Sequence, residues 1–135
     1  MIKTLTLSAA LAATALAALP ALAQTEALPS GVKIAHTQPG SGASPLATST
    51  VRVHYRGTLA NGQEFDSSYK RNAPASFPLN RVIPCWTEGL QKMKVGGKAT
   101  LTCPPETAYG SRGAGNAVPP NATLTFEVEL LAIEK

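Results

Sequence analysis

Apolar and polar residues alternate from Val51 to Arg56. Val51, Val53 and Tyr55 fall on one side, and Arg52, His54 and Arg56 on the other. A period of two is the mark of a strand with one face buried. The longest such run is the last, Ala122–Ile133, with Leu124, Phe126, Val128 and Leu130 on the inward side. Lys98–Cys103 reads as another strand. Val32–Gly40 alternates weakly and ends in a Pro-Gly turn. Asn61-Gly62 is a strong hairpin signal, and a short strand through Phe65 follows it. Pro74 and Pro78 break the stretch from Tyr69 to Asn80, which leaves a loop with room for an edge strand.

One segment changes period. In "IPCWTEGLQKM" (83–93), Trp86, Leu90 and Met93 recur at i, i+4 and i+7, which gives a helix one apolar face. Pro84 suits the first helical position, and Gly96-Gly97 is the expected stop. Residues 104–121 are rich in proline and glycine and read as a long loop. The pattern predicts an α+β fold, an antiparallel sheet of about five strands with one short helix lying across it. No internal repeat is present.

The chain has 135 residues and a net charge of +4. Its start departs from the rest: Lys3, a run of alanine and leucine, then Ala21-Leu22-Ala23. This is the order of a secretory signal, with cleavage after Ala23. An uncleaved membrane anchor is the other use of such a run. No cysteine follows it, so a lipid anchor is not indicated, and no later stretch could span a bilayer. The expected organisation is a signal peptide (1–23), a flexible lead (24–30) and one domain (31–135).

The basic residues are scattered, so nucleic acid is not an expected partner. His36 and His54 lie far apart with no metal-binding motif around them, and no metal or cofactor is expected. Ser67 and Ser68 show no base partner. "GSRGAG" lacks the strand and helix of a dinucleotide fingerprint. Any catalysis would have to rest on binding and environment.

The aromatics point to where. Tyr55, Phe65, Tyr69, Phe77, Trp86, Tyr109 and Phe126 lie mostly in segments that could meet at one end of a small sheet. An apolar basin with few polar groups is the usual make-up of a ligand site. The blocks "VHYRGTLANGQEFDSSYKRNAP", "VIPCWTEGLQKMKVGGKATL", "PPETAYGSRGAG" and "VPPNATLTFEVELL" together resemble an FKBP-type peptidyl-prolyl cis-trans isomerase. The likeness covers about residues 31–133 and is nearest to exported bacterial members, in single-domain form.

The resemblance implies a pocket between helix and sheet. Trp86 would be its floor, and Tyr55, Phe65, Phe77, Val82, Ile83 and Phe126 its walls. The Tyr109 hydroxyl and the Ile83 N–H would meet the carbonyls flanking a proline. Asp66, beside Tyr55 and Arg71, would be the polar rim, and Val118 would sit on a covering loop. Ala75 stands where many relatives carry a bulky aromatic, which would open the rim. The implied partners are proline-containing polypeptides and the macrolide inhibitors of the family, met by a monomer in the periplasm or outside the cell. A non-catalytic proline-binding module or holdase chaperone is the alternative.

In the implied fold the strand ending at Cys103 runs near the start of the helix that carries Cys85. Export favours a disulfide, and two cysteines allow one intramolecular pairing. Two buried free thiols remain the other possibility.

Overall fold

A computed structural model describes residues 25–134; the expected signal segment, 1–23, lies outside them. Seven strands form one antiparallel sheet: β1 (Thr25–Ala27), β2 (Lys33–Gln38), β3 (Thr50–Thr58), β4 (Glu64–Ser67), β5 (Ala75–Pro78), β6 (Lys98–Cys103) and β7 (Leu124–Glu134). One helix, α1 (Pro84–Leu90), lies between β5 and β6 in the chain. The spatial order is β1-β2-β6-β7-β3-β4. β5 shares the outer edge of β3 with β4: β4 pairs with Arg56–Thr58 and β5 with Thr50–Val53.

Seven strands exceed the five read from the pattern, and the reasons are local. β1 falls in the stretch read as a flexible lead. Its three residues are all exposed, so it pairs with β2 through the backbone and carries no hydrophobic alternation. β5 is the proline-flanked edge strand, ending at Pro78 where ladder donors are not needed.

The long alternating strands behave as their pattern requires. Val51, Val53 and Tyr55 of β3 are buried, as are Leu124, Phe126, Val128 and Leu130 of β7. They join Ile34, Ala99, Leu101, Trp86, Leu90 and others in one core. The turn between β3 and β4 uses Gly62 at φ +88° and an Asn61 side chain that accepts from the Gln63 N–H at 2.9 Å. Left-handed glycine and an Asx turn are what Asn-Gly supplies.

The helix is shorter than its apolar period. It ends at Leu90, where the backbone tightens into turns: the N–H groups of Lys92 and Met93 donate to Gly89 and Leu90. Met93 is buried, but from this turn rather than from the helix. Gly96 and Gly97 serve β7 instead of capping. The Gly96 N–H donates to the Leu130 carbonyl at 2.8 Å, and Leu130 N–H returns to Gly97 at 3.0 Å. A Cβ on Gly97 would stand within 3.0 Å of three backbone oxygens, so only glycine fits this close approach.

Two features set α1 on the sheet. A Cβ at Gly89 would meet both Leu101 methyl carbons at 3.0 Å, so glycine lets the helix approach β6 closely. The Cys85–Cys103 disulfide then links the first turn of α1 to the end of β6.

Candidate active site

The aromatic residues converge on Trp86. Its ring stands edge-to-face with Tyr55 at 5.2 Å, Phe77 at 5.3 Å and Phe126 at 5.3 Å between centroids. Phe65 meets Phe126 in the same way at 5.6 Å. Perpendicular arrangements bring positive ring edges to negative ring faces, and each contributes about 0.5–1.5 kcal/mol beyond burial. The rings come from β3, β4, β5, β7 and α1, so the cluster forms only when the sheet is complete. Gly57 makes room for it: a Cβ there would meet Phe65 at 2.7 Å and Phe126 at 2.9 Å.

Above this cluster lies a cavity of about 520 Å³, lined by Tyr55, Phe65, Asp66, Phe77, Arg81, Val82, Ile83, Pro84, Trp86, Ala108, Tyr109 and Phe126. Nine of the sequence-predicted site residues are among them. The indole Nε1 of Trp86 is buried and has no hydrogen-bond partner. Such a donor usually costs stability; its neighbours here are aromatic rings.

The polar rim is a closed network. The Tyr55 hydroxyl donates to Asp66 Oδ2 at 2.6 Å. Arg71 donates through Nη1 to Asp66 Oδ1 at 2.8 Å and through Nη2 to Tyr55 Oη at 2.9 Å. The Ser67 N–H adds a bond to Asp66 Oδ1 at 2.9 Å. Burial alone would raise the Asp66 carboxyl, but the bonds from Arg71 and Tyr55 outweigh it and hold it below the usual carboxylate range. Burial and the bond to Asp66 push the Tyr55 hydroxyl above its ordinary value, so it stays protonated. Arg71 does not line the cavity; it holds the two residues that do.

Ser68 fixes Tyr55 from behind. It is fully buried, and its hydroxyl accepts from the Tyr55 N–H at 2.8 Å while lying 2.9 Å from His54 Nδ1. The sequence showed no base partner for this serine; the fold brings His54 to it. The hydroxyl is enclosed and bonded to backbone, which makes it a support rather than a nucleophile.

Val118 lies on the long loop before β7, as the resemblance implies. It is buried in the core and bridges to Ala114 within the long loop, and it does not line the cavity. Gly113 turns the chain there with φ +70°, and Val118 belongs to the core cluster. Ala75 does not line the cavity either; on β5 it pairs with Val53 of β3, and Phe77, two residues on, supplies the wall. Tyr109 is 40% exposed and lines the mouth. The N–H of Ile83 makes no backbone hydrogen bond to another described residue, while its carbonyl receives Trp86 and Thr87. Pattern reading missed Arg81, Pro84 and Ala108. The only signal was adjacency: Arg81 and Pro84 flank Val82-Ile83, and Ala108 precedes Tyr109.

Among the described residues no group of three or more His, Cys, Asp or Glu is placed to hold a metal. None of their helices is long and apolar enough to cross a membrane.

Comparison with known proteins agrees with this geometry. Residues 42–131 match the profile described as FKBP-type peptidyl-prolyl cis-trans isomerase. The chain is 56% identical over 106 residues to the FKBP-type peptidyl-prolyl cis-trans isomerase FkpA of Aeromonas hydrophila, covering 78% of this chain and 39% of that protein. It is 51% identical to FK506-binding protein 1 of Dictyostelium discoideum, covering 77% of this chain and 99% of that one. The crystal structure of FkpA from Escherichia coli superposes with a TM-score of 0.78 at 47% identity, over 82% of this chain and 51% of that one. The chain thus spans well under two thirds of the length of its FkpA relatives.

Proposed function

The chain belongs to the FKBP-type peptidyl-prolyl cis-trans isomerase family, and on that premise we propose that it accelerates X–Pro isomerisation in exported polypeptides. The observation that carries this is the Trp86 basin. Three rings stand edge-on around the indole at the base of a 520 Å³ cavity whose one carboxylate, Asp66, is already bonded on both oxygens.

Rotation about an X–Pro bond crosses a barrier of about 20 kcal/mol, because the amide has double-bond character. Uncatalysed, it takes tens to hundreds of seconds. The planar amide is more charge-separated than the twisted one and is better stabilised by water. A proline seated over Trp86 exchanges that water for aromatic carbon, which favours the twisted form relative to the planar one. The cavity lowers the barrier to the extent that it binds the twisted geometry more tightly.

Trp86 forms the floor, with Tyr55, Phe65, Phe77, Val82, Ile83 and Phe126 as walls. The Ile83 N–H and the Tyr109 hydroxyl donate to the carbonyls that flank the proline. Asp66 keeps the Tyr55 ring in place with Arg71 behind it. No residue needs to gain or lose a proton. The macrolide inhibitors of the family would occupy the same basin. With residues 1–23 removed as a signal, the remaining domain acts as a monomer in the periplasm, with release outside the cell as the alternative.

Refolding of an unfolded protein whose slow phase is a prolyl isomerisation tests this. Residues 24–135, added in catalytic amount, should speed the slow phase. Suppressed aggregation with an unchanged slow phase would instead mark a holdase.

A further inference from the structure

Arg81 is the one basic residue lining the cavity. Arg52, Arg56, Lys70, Arg71 and Lys92 each lie within 4 Å of a carboxylate. Arg81 has no carboxylate partner and no side-chain hydrogen bond among the described residues. Its backbone is nevertheless fixed. It ends the 3-10 turn Leu79–Arg81, whose Leu79 is fully buried. The Leu79 N–H donates to Ser49, and its carbonyl accepts from Thr87 of α1. The turn therefore holds Arg81, an exposed residue without a carboxylate partner, next to Val82 and Ile83 in the cavity lining.

The cavity's own negative charge does not cancel it. Asp66 is the cavity's one carboxylate, and Arg71, Tyr55 and Ser67 already occupy its oxygens. A substrate chain entering the basin meets a carboxylate that is already paired and a cation that is not. A guanidinium offers planar, paired donors suited to a carboxylate. We propose that Arg81 is a specificity-determining residue that selects substrate segments with a carboxylate within a residue or two of the proline. A lysine at the same place is disfavoured, because it brings like charge to Arg81. This rests on the isomerase reading of the same cavity.

The test compares X–Pro peptides that differ only in Glu, Gln or Lys, placed before the proline in one series and after it in another. Isomerisation rate and affinity, the latter from Trp86 emission, are measured in parallel at low and high salt. In at least one series Glu should exceed Gln by about two- to fivefold, the size of an exposed ion pair, and Lys should fall below Gln. High salt should shrink the spread. The Glu-to-Lys ratio should persist in Arg81→Lys, collapse toward one in Arg81→Gln and invert in Arg81→Glu. A ratio of one in the unmodified protein at low salt, or one that Arg81→Gln leaves intact, overturns the proposal. If the Gln peptide is not accelerated, the isomerase reading fails, and the affinities alone decide the role of Arg81.

Discussion

Cys85 and Cys103, 18 positions apart in sequence, are joined by a disulfide with their Cα atoms 5.7 Å apart. Both residues are fully buried, and Cys85 immediately precedes the indole that floors the cavity. The bond thus ties the first turn of α1 to the end of β6 next to the site. Removing it with Cys85→Ala and Cys103→Ala together should destabilise the domain by about 3 kcal/mol in the chain-entropy account. The thermal midpoint should fall by roughly 10–20 °C. Calorimetry of the double variant measures this, and an unchanged midpoint would mean the link constrains nothing that unfolding releases.

Tyr55→Phe keeps the ring against Trp86 and removes only the hydroxyl that bridges Asp66 and Arg71. The Arg71–Asp66 ion pair survives on its own geometry. The expected cost is about 1–2 kcal/mol in denaturant unfolding, with peptide turnover lowered but not lost. Complete loss of turnover in a folded variant would give the hydroxyl a direct chemical part that the geometry does not assign to it.

The same network sets the pH dependence. Asp66 is held below its ordinary range, so its contribution to stability is full at neutral pH and is lost as pH falls through the lowered folded value. Tyr55 is raised, so its contribution is full below the ordinary tyrosine value of about 10 and is lost as pH climbs through the raised one. Between about pH 5 and 9 neither group titrates. Peptide turnover and the stability this network contributes should be flat across that window. A bell-shaped rate profile centred within it would point to an acid or base in the mechanism.

Gly57 offers a steric test. Alanine there would drive its methyl into Phe65 and Phe126. Overpacking of this kind costs about 1–3 kcal/mol. Because both rings wall the cavity, the variant should also bind X–Pro peptides more weakly, as a titration of Trp86 emission would show. Wild-type stability and affinity together would mean the walls yield freely.

Much of this architecture was legible in the chain. The alternation in β3 and β7 placed Tyr55 and Phe126 on the buried face, and the spacing of Trp86 and Leu90 gave the face of α1. What stayed hidden has no periodic signature. β1 pairs only through its backbone. The helix end depends on backbone turns after Leu90, while Gly96-Gly97 answers to Leu130, which is distant in sequence. Val118 is buried in the core from a loop where it bridges to Ala114, a placement that composition does not encode. Arg81 looks like any scattered surface charge until the fold places it on the cavity wall. His54 and Ser68 are 14 positions apart and meet only through the strand pairing.

Exchange NMR on a short X–Pro peptide, with a catalytic amount of residues 24–135, reads the isomerisation itself. Catalysis in the Trp86 basin predicts cis–trans exchange cross-peaks on a timescale of about a second or less, with the cis-to-trans ratio unchanged. Peptide resonances that shift or broaden on binding while the exchange rate stays at its uncatalysed value would contradict it.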